Sequence, residues 1–210
     1  MKMRNWFIIT LLLFIACAAA YPLKMITALD INVTLFSEKM RSPFLTDFFL
    51  FISDIGSIKF YLPISAAIAV FFILKRKVLD ALLLLAILFS VRLLNYQLKE
   101  IFSRERPHFN AVYEASHYSF PSGHSMNSAA IYSFICYILI TRFIHKKYQK
   151  QAMLLSTIIL IALIGISRIY LGVHYLTDVI AGFSAGIAWF IIVATIFDKM
   201  GKKFDKNRSI

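Results

Sequence analysis

The sequence contains little charge and no segment that resembles a flexible linker. Only 16% of its 210 residues are charged and 60% are hydrophobic, whereas soluble domains carry about 25% charged and about 45–50% apolar residues. No Gly-, Ser- or Pro-rich stretch divides the chain, and it has no internal repeat or low-complexity segment. This composition argues against a soluble protein and predicts one domain over residues 1–210, with its core over residues 58–198.

Cysteine is almost absent from the chain. The two cysteines, Cys17 and Cys136, both lie inside hydrophobic runs. Two isolated cysteines match no zinc-binding spacing, and neither is placed to form a disulfide. We therefore predict that both are small buried residues.

The hydrophobic residues are concentrated in six runs of roughly 16–25 residues, close to the length that crosses the hydrocarbon core of a bilayer. The runs cover residues 6–21, 58–74, 78–102, 122–143, 152–170 and 175–197. Residues 23–55 mix large apolar with charged side chains, which is typical of an amphipathic helix at the membrane interface. The predicted fold class is therefore all-α: a polytopic membrane protein with a bundle of six transmembrane helices and an interfacial amphipathic helix between the first two.

The first hydrophobic run has two interpretations. It follows Lys2 and Arg4 and ends near Ala18-Ala19-Ala20, so it also fits a signal peptide with a cleavage site. We favour an uncleaved first helix. The later topology is the same in either case, because cleavage would leave the new N-terminus outside.

Basic residues outnumber acidic residues by 23 to 11, which gives a formal net charge of +12. Fourteen of the 23 lie in four patches at alternate ends of the hydrophobic runs. The patches are Lys2 and Arg4; Lys75, Arg76 and Lys77; Arg142, Lys146, Lys147 and Lys150; and Lys199, Lys202, Lys203, Lys206 and Arg208. This positive-inside pattern indicates anionic membrane lipid as the partner and argues against nucleic acid.

Six spans account for all four patches if both termini are cytoplasmic in a protein of the plasma membrane. The connections at residues 22–57, 103–121 and 168–175 then lie outside the cell. Three short polar motifs fall in or beside these outer connections. Charge asymmetry and motif chemistry therefore agree on one extracytoplasmic site.

The first motif is Lys99-x6-Arg106-Pro107, where the third run ends. Arg106 has a planar, forked guanidinium that suits phosphate oxygens, whereas Lys99 supplies a compact point charge. Taken alone this motif is a weak signal, because basic residues at the end of a helix usually face water.

Two further arginines flank this motif. Arg92 lies inside the third run, where a charge is costly, so we expect it to face the bundle interior. There it either supports the site or anchors neighbouring helices. Arg104 has two interpretations: a third contact to the phosphate, or a side chain that is solvated or pairs with Glu100 or Glu105. We favour the second.

The second motif, Pro121-Ser122-Gly123-His124, opens the fourth run. Free backbone N–H groups at a helix start bind anions, and glycine allows a phosphate to approach closely. Ser122 adds a hydroxyl donor, and His124 is then held beside the bound phosphate.

The third motif is Ser167-Arg168-x5-His174-x3-Asp178. His174 and Asp178 are four residues apart and therefore share one helix face. Asp178 can accept a hydrogen bond from one imidazole nitrogen and leave the other unprotonated for attack, as in hydrolytic triads. A purely structural His–Asp pair is the alternative, and the two companion motifs disfavour it. No cluster with metal-ligand spacing lies on the outer face, so we predict no metal and no cofactor.

In order and spacing, the three motifs resemble the signature of the type 2 phosphatidic acid phosphatase family, without departures. The flanking segments 92–100 and 120–127 look most like small phosphatidylglycerophosphatase B-type enzymes of Gram-positive bacteria. The resemblance implies that His174 is the nucleophile that forms a phosphohistidine, that Asp178 orients it, and that His124 is the general acid. The residues it implies for holding the phosphoryl oxygens are Lys99, Arg106, Ser122, Gly123 and Arg168.

The predicted function is metal-independent hydrolysis of a lipid phosphate in the membrane, with phosphatidylglycerophosphate converted to phosphatidylglycerol. Undecaprenyl diphosphate is the nearest alternative substrate, because the resemblance extends to small family members that recycle this carrier lipid. A lipid transporter or scramblase with a vestigial site is the alternative from another class, but no motif residue is missing. We expect a monomer, because no long heptad or small-xxx-small stripe requires a dimer.

Overall fold

The computed structural model describes residues 3–108 and 110–208, with side chains described as far as residue 200. The described residues form eight helices and no strand. The helices are α1 (Met3–Ala20), α2 (Lys24–Lys39), α3 (Pro43–Ile55), α4 (Ile58–Leu74), α5 (Val78–Phe102), α6 (Gly123–Arg142), α7 (Lys147–Tyr170) and α8 (Leu176–Arg208). The predicted all-α class is therefore confirmed. The side chains of Lys2, Lys202, Lys203, Lys206 and Arg208 lie outside the described residues, and so does this part of the charge pattern.

Four helices of the described chain are long and apolar enough to cross a membrane: α1, α5, α7 and the part of α8 over Leu176–Met200. The pair α3 and α4, bent by 43° at its break, forms a fifth candidate. This count stops short of the six spans that the sequence predicts. The shortfall has a physical reason, because α4 alone has 17 residues and α6 carries serines, a histidine and an asparagine along its first turns. Several apolar helices nevertheless make this a multi-pass membrane protein.

Residues 23–55 form two helices rather than the single amphipathic helix that the sequence predicts. Ser42 begins α3, because its hydroxyl accepts a hydrogen bond from the Leu45 amide at 3.4 Å and proline occupies the first turn. Both α2 and α3 pack against α7. α2 turns Asp30 and Thr34 inward, and both are fully buried. A buried carboxylate requires a partner, and Asp30 finds it in the site described below.

Helix α6 lies at the centre of the bundle and packs on α5, α7 and α8. Two glycines four residues apart on α8 allow this close approach. A Cβ at Gly186 would lie 2.3 Å from the Met126 carbonyl oxygen, and one at Gly182 would lie 2.7 Å from the Ser122 carbonyl oxygen. This Gly-x3-Gly pair thus serves packing within the chain. It also holds the start of α6 against the start of α8, which brings the second and third motifs together.

The two cysteines are buried as predicted. Cys17 is 7% exposed and Cys136 is 4% exposed, and both are free thiols. Cys17 packs with Phe120 in a small apolar cluster between α1 and the loop that precedes α6.

Candidate active site

The loop between α5 and α6 covers one end of the helix bundle and is held there by backbone hydrogen bonds. The Val112 amide donates to the Leu171 carbonyl at 3.0 Å, and the Ser122 amide donates to the Asp178 carbonyl at 3.0 Å. The first bond joins the loop to the end of α7, and the second joins it to the start of α8. The three sequence motifs therefore meet at one end of the bundle.

A cavity of about 440 Å³ opens where the motifs meet. Six of the eight predicted site residues line it: Lys99, Arg106, Gly123, His124, Arg168 and His174. The other two, Ser122 and Asp178, are fully buried behind the cavity wall. The structure therefore brings the eight predicted residues together, six in the cavity wall and two directly beneath it.

Opposite sides of the His174 ring are held by different groups. On one side, Nδ1 lies 3.4 Å from Asp178 Oδ2 and 3.2 Å from the Ser119 hydroxyl. On the other side, Nε2 lies 3.2 Å from Nη1 of Arg106. A guanidinium can only donate, so Nε2 must be the accepting, unprotonated nitrogen and Nδ1 carries the proton. The lone pair of Nε2 therefore lies on the same side as the cations.

Burial lowers the pKa of His174 well below its ordinary range, and the neighbouring cations Arg106, Lys99 and Arg168 lower it further. The pKa of Arg106 is lowered to about 10 by burial and by Arg168. At neutral pH His174 is consequently uncharged and Arg106 remains a cation. A neutral imidazole beside fixed positive charge is the state that nucleophilic attack on an anionic phosphate needs.

Both oxygens of the Asp178 carboxylate are hydrogen-bonded. Oδ2 accepts from the Ser119 hydroxyl at 2.5 Å and from the Tyr175 amide at 2.9 Å. Oδ1 accepts from Nη1 of Arg104 at 2.6 Å. A carboxylate held on every side cannot rotate freely, so it fixes the orientation of the His174 ring.

The expectation that Arg104 is solvated or pairs with Glu100 or Glu105 was wrong. Its Nη2 donates to Asp30 at 2.7 Å, while its Nη1 reaches Asp178. The guanidinium carbon also lies 4.8 Å from the ring centre of Tyr21 and 4.3 Å from that of Tyr175. Arg104 therefore joins α2 to the carboxylate behind His174.

Sequence reasoning missed three members of this network: Asp30, Ser119 and Thr177. Thr177 donates to Asp30 through its amide at 3.0 Å and through its hydroxyl at 2.5 Å. Asp30 lies 147 positions before Thr177 along the chain, so no local spacing connects them. The only signal in the sequence was the acidic side chain of Asp30, and the amphipathic pattern of residues 23–55 accounted for it as a residue facing water.

Three cations converge on the cavity without a carboxylate of their own. Within the described residues, Lys99, Arg106 and Arg168 form no salt bridge. Their donors meet neutral groups instead. Lys99 Nζ donates to the Tyr118 carbonyl, and Arg106 Nη1 donates to the Val173 carbonyl at 2.7 Å. Positive charge that is held in place but not neutralised favours an anionic ligand.

Arg168 shows this most clearly, because its side chain is 2% exposed. It donates from Nη1 to the Ser53 hydroxyl, and its Nε has no hydrogen-bond partner in the described part of the chain. A buried guanidinium with an unused donor is costly. A phosphate oxygen in the cavity would provide the missing acceptor.

At the start of α6, Gly123 and His124 line the cavity, whereas Ser122 does not. The Ser122 hydroxyl caps the helix, where it accepts from the Ser125 amide at 3.4 Å and from the Ser125 hydroxyl at 3.0 Å. It does not line the cavity. At Gly123 a Cβ would lie 2.9 Å from Oδ1 of Asn95 on α5, so this position needs glycine for close packing of α5 and α6. His124 follows in the cavity wall.

The PAP2 superfamily sequence model matches residues 80–202 of this chain. Phosphatidylglycerophosphatase B from Bacillus subtilis (strain 168) is 38% identical over 194 residues, which are 92% of this chain and 95% of that protein. Lipid A 4'-phosphatase from Porphyromonas gingivalis is 28% identical over 171 residues, covering 74% of this chain and 67% of that protein.

Two solved structures are similar to most of this chain. The first transmembrane PAP2-type phosphatidylglycerolphosphate phosphatase from Bacillus subtilis has a TM-score of 0.88 and 35% identity, covering 92% of this chain and 96% of that one. Aquifex aeolicus LpxE has a TM-score of 0.62 and 26% identity, covering 80% and 95%. The shared arrangement therefore extends well beyond the three motifs.

Proposed function

The chain belongs to the PAP2 superfamily, and from its 38% identity to phosphatidylglycerophosphatase B over 92% of its length we propose that its substrate is phosphatidylglycerophosphate, which it hydrolyses to phosphatidylglycerol. The protein is a membrane-bound phosphatase that acts on lipid phosphates. The proposed chemistry rests on one observation. The unprotonated Nε2 of His174 lies in the same cavity as Lys99, Arg106 and Arg168, which have no carboxylate partner among the described residues.

In the first proposed step, His174 Nε2 attacks the phosphorus atom. The bond from phosphorus to the glycerol oxygen breaks, and His124 donates a proton to that oxygen as it leaves. Asp178 stabilises the positive charge that develops on the His174 ring through the Nδ1 proton.

In the second proposed step, water attacks the phosphohistidine and His124 removes its proton. Inorganic phosphate leaves, and His174 returns to its neutral state. Lys99, Arg106 and Arg168 hold the phosphoryl oxygens throughout, and the backbone at Gly123 faces the same space. These cations supply the charge that metal ions supply in many phosphoryl-transfer enzymes, so the proposed reaction does not require a metal or another cofactor.

We propose that six segments cross the plasma membrane: α1, α4, α5, α6, α7 and α8. The basic turn Lys75–Lys77 lies at the opposite end of α5 from Lys99 and the active site. The positive-inside rule then supports cytoplasmic termini and an extracytoplasmic site. Because Gly182 and Gly186 are used within the chain, we also propose that residues 1–210 act as one domain and as a monomer.

The test is phosphate release by purified protein in detergent with EDTA present. Phosphatidylglycerophosphate, undecaprenyl diphosphate and phosphatidic acid are compared as substrates at matched surface concentration. We expect the highest kcat/KM with phosphatidylglycerophosphate. Preference for undecaprenyl diphosphate would assign the protein to recycling of the carrier lipid, and no release by folded protein would favour a lipid transporter with a vestigial site.

The pH dependence of kcat/KM should report His174. Protonated His174 cannot attack, and burial with three cations lowers its pKa, so we expect the acid limb below the usual pKa of about 6.5 for histidine. Arg106→Gln removes one of these cations, so the pKa of His174 should rise and the limb should move to higher pH. The rate should also fall roughly 10- to 100-fold at the plateau.

The substrate phosphate titrates as well, but equally in wild type and variant, so only the difference between the two limbs is interpreted. Arg76→Gln, which removes one positive charge from the far end of α5, is the matched control. A limb that stays in place or moves to lower pH in Arg106→Gln would contradict the assignment.

Arg104 is expected to act as a positioning residue. Arg104→Gln removes the salt bridges to Asp30 and Asp178, so Asp178 should lose the charged one of the three hydrogen bonds that fix its orientation. We expect kcat to fall roughly 10- to 100-fold, with little change in KM because Arg104 does not line the phosphate cavity. Steady-state kinetics in mixed micelles measure this split.

Arg104→Lys should recover part of the lost kcat, because a lysine keeps the charge but cannot bridge both carboxylates with a planar fork. A rise in KM with unchanged kcat would instead assign Arg104 to substrate binding.

A further inference from the structure

A second cavity, lined by both apolar and polar side chains, adjoins the active-site cavity. Its volume is about 460 Å³, and it lies between the α3–α4 break and helices α5 and α6. The residues that line both cavities are Arg92, Tyr113, Gly123, His124 and Asn127. The proposed reaction uses His124 and Gly123 from this shared wall but has no role for Arg92 or Asn127.

Arg92 and Asn127 meet at the hydroxyl of Tyr61. Arg92 Nη1 donates to this oxygen at 2.7 Å, and Asn127 Nδ2 donates to it at 3.3 Å. Tyr61 is 1% exposed. With the Asn127 amide in this orientation the Tyr61 oxygen accepts twice, so its own O–H proton is free to be donated.

Two further features leave this cluster unsatisfied. Oδ1 of Asn127 is buried and has no hydrogen-bond partner within the described residues, although Asn127 is 8% exposed. Arg92 likewise has no salt-bridge partner among them. A buried lone acceptor is costly. Arg92 is exposed within the described chain, but it is a charge without a carboxylate partner on a helix proposed to cross the membrane, which is also costly. A ligand that brings an anion and a hydroxyl group would satisfy both.

The spacing of the cations indicates how far apart two anionic groups would sit. Arg92 and Lys99 are seven residues apart on α5, which is two turns and roughly 10 Å along the axis. In a glycerol-bridged lipid, six bonds of about 1.5 Å separate the two phosphorus atoms, so they lie about 7 Å apart. The two phosphates of a diphosphate share one oxygen and lie much closer. The cation spacing therefore fits a glycerol-bridged pair better.

We propose that Arg92, Tyr61 and Asn127 form a second subsite that binds the glycerol bridge and the phosphodiester of a glycerolipid with two phosphates. Arg92 and the Tyr61 hydroxyl donate to the phosphodiester oxygens. Oδ1 of Asn127 accepts from the free hydroxyl of the bridging glycerol. The inference rests on the proposed function, and it names which part of the head group this chain distinguishes.

The first test is Arg92→Gln assayed with three lipids: phosphatidylglycerophosphate, undecaprenyl diphosphate and phosphatidic acid. Loss of a charged hydrogen bond should raise KM for phosphatidylglycerophosphate roughly 10- to 100-fold. Phosphatidic acid has no distal phosphodiester, so its KM should change far less. Arg92→Lys should lie between wild type and Arg92→Gln, and Arg76→Gln is the matched loss of one positive charge.

Three other patterns of KM change would contradict the subsite. Equal losses with all three lipids, or no loss with any, would overturn the subsite. A larger loss with undecaprenyl diphosphate than with phosphatidylglycerophosphate would assign Arg92 to an adjacent second phosphate and overturn the glycerol-bridged form. If the wild type does not cleave phosphatidylglycerophosphate, the proposed function itself fails, and this result precedes any comparison of variants.

The second test isolates the hydroxyl contact of Asn127. A substrate analogue with a propanediol bridge lacks only the free hydroxyl of the glycerol. Wild type should bind this analogue more weakly than the natural lipid by roughly 5- to 10-fold. Asn127→Leu should bind both lipids equally, whereas a preserved preference in a folded variant would overturn the role of Asn127. Thermal unfolding of each variant in the same detergent checks that it is folded.

Discussion

His174→Ala is expected to reduce turnover by about 10⁴-fold or more, because no other group can form the covalent intermediate. The His174 Nε2 atom is the unprotonated nitrogen beside the cations, and the His174 side chain lines the cavity although it is only 2% exposed. Substitution by alanine removes the nucleophile and leaves the three cations in place. Phosphate release and the thermal stability of the purified variant are measured together.

The matched control for this variant is His108→Ala, which removes a loop histidine whose side chain is 79% exposed. It should keep wild-type turnover. Wild-type protein quenched during turnover should carry an acid-labile phosphate, and His174→Ala should carry none. Turnover by His174→Ala near the wild-type rate would disprove the nucleophile assignment.

Asp178→Asn provides a graded comparison with the nucleophile variant. If Asp178 only orients the ring, the loss should be smaller, because Nε2 remains available for attack. The structure adds a second consequence, since Arg104 would keep only Asp30 as a charged partner. Equal losses in the two variants would show that Asp178 does more than orient His174.

Helix positions were the part of the fold that the sequence predicted best. The predicted runs 58–74 and 78–102 coincide with α4 and α5, because hydrophobicity and the basic turn between them are local signals. The start of α7 at Lys147 was placed five residues too late. The reason is that its first turn is polar and therefore does not belong to the hydrophobic run.

The network behind the active site could not be predicted in the same way. Arg104 pairs with Asp30 across 74 positions of the chain, and Ser119 reaches His174 across 55. Such contacts depend on how α2 and the α5–α6 loop pack on the bundle, which has no periodic signature in the sequence. The motif residues could be predicted because each motif lies at an end of a hydrophobic run, and chain topology alone brings those ends to one face.

The network behind His174 also extends to α2. The residues proposed to touch phosphate come from α5, α6, α7 and the loops beside them. Asp178 is held by Arg104 of the α5–α6 loop, and Arg104 in turn is held by Asp30 of α2. The segment that the sequence assigns to the membrane interface is thus connected through Arg104 to Asp178. We therefore expect the packing of α2 on the bundle to influence the orientation of the His174 ring.

His124→Ala should separate the two steps of the reaction. With phosphatidylglycerophosphate the leaving group is an alkoxide, which needs a proton, so loss of the general acid should lower kcat roughly 10²- to 10⁴-fold. With p-nitrophenyl phosphate the leaving phenolate needs no proton, so the first step should be affected far less. The second step still requires His124 as the base that activates water.

The aryl substrate should therefore give His124→Ala a burst of nitrophenolate equal to the enzyme concentration, followed by slow turnover and accumulation of the acid-labile phosphoenzyme. Rapid-quench kinetics measure the burst, and His108→Ala serves again as the control. Equal loss on both substrates without a burst would show that His124 does not act as the acid. In that case His124, which lies in the cavity wall beside Gly56, would position the substrate. The leaving oxygen would then take its proton from another donor, and Lys99 is the lysine that lines the cavity.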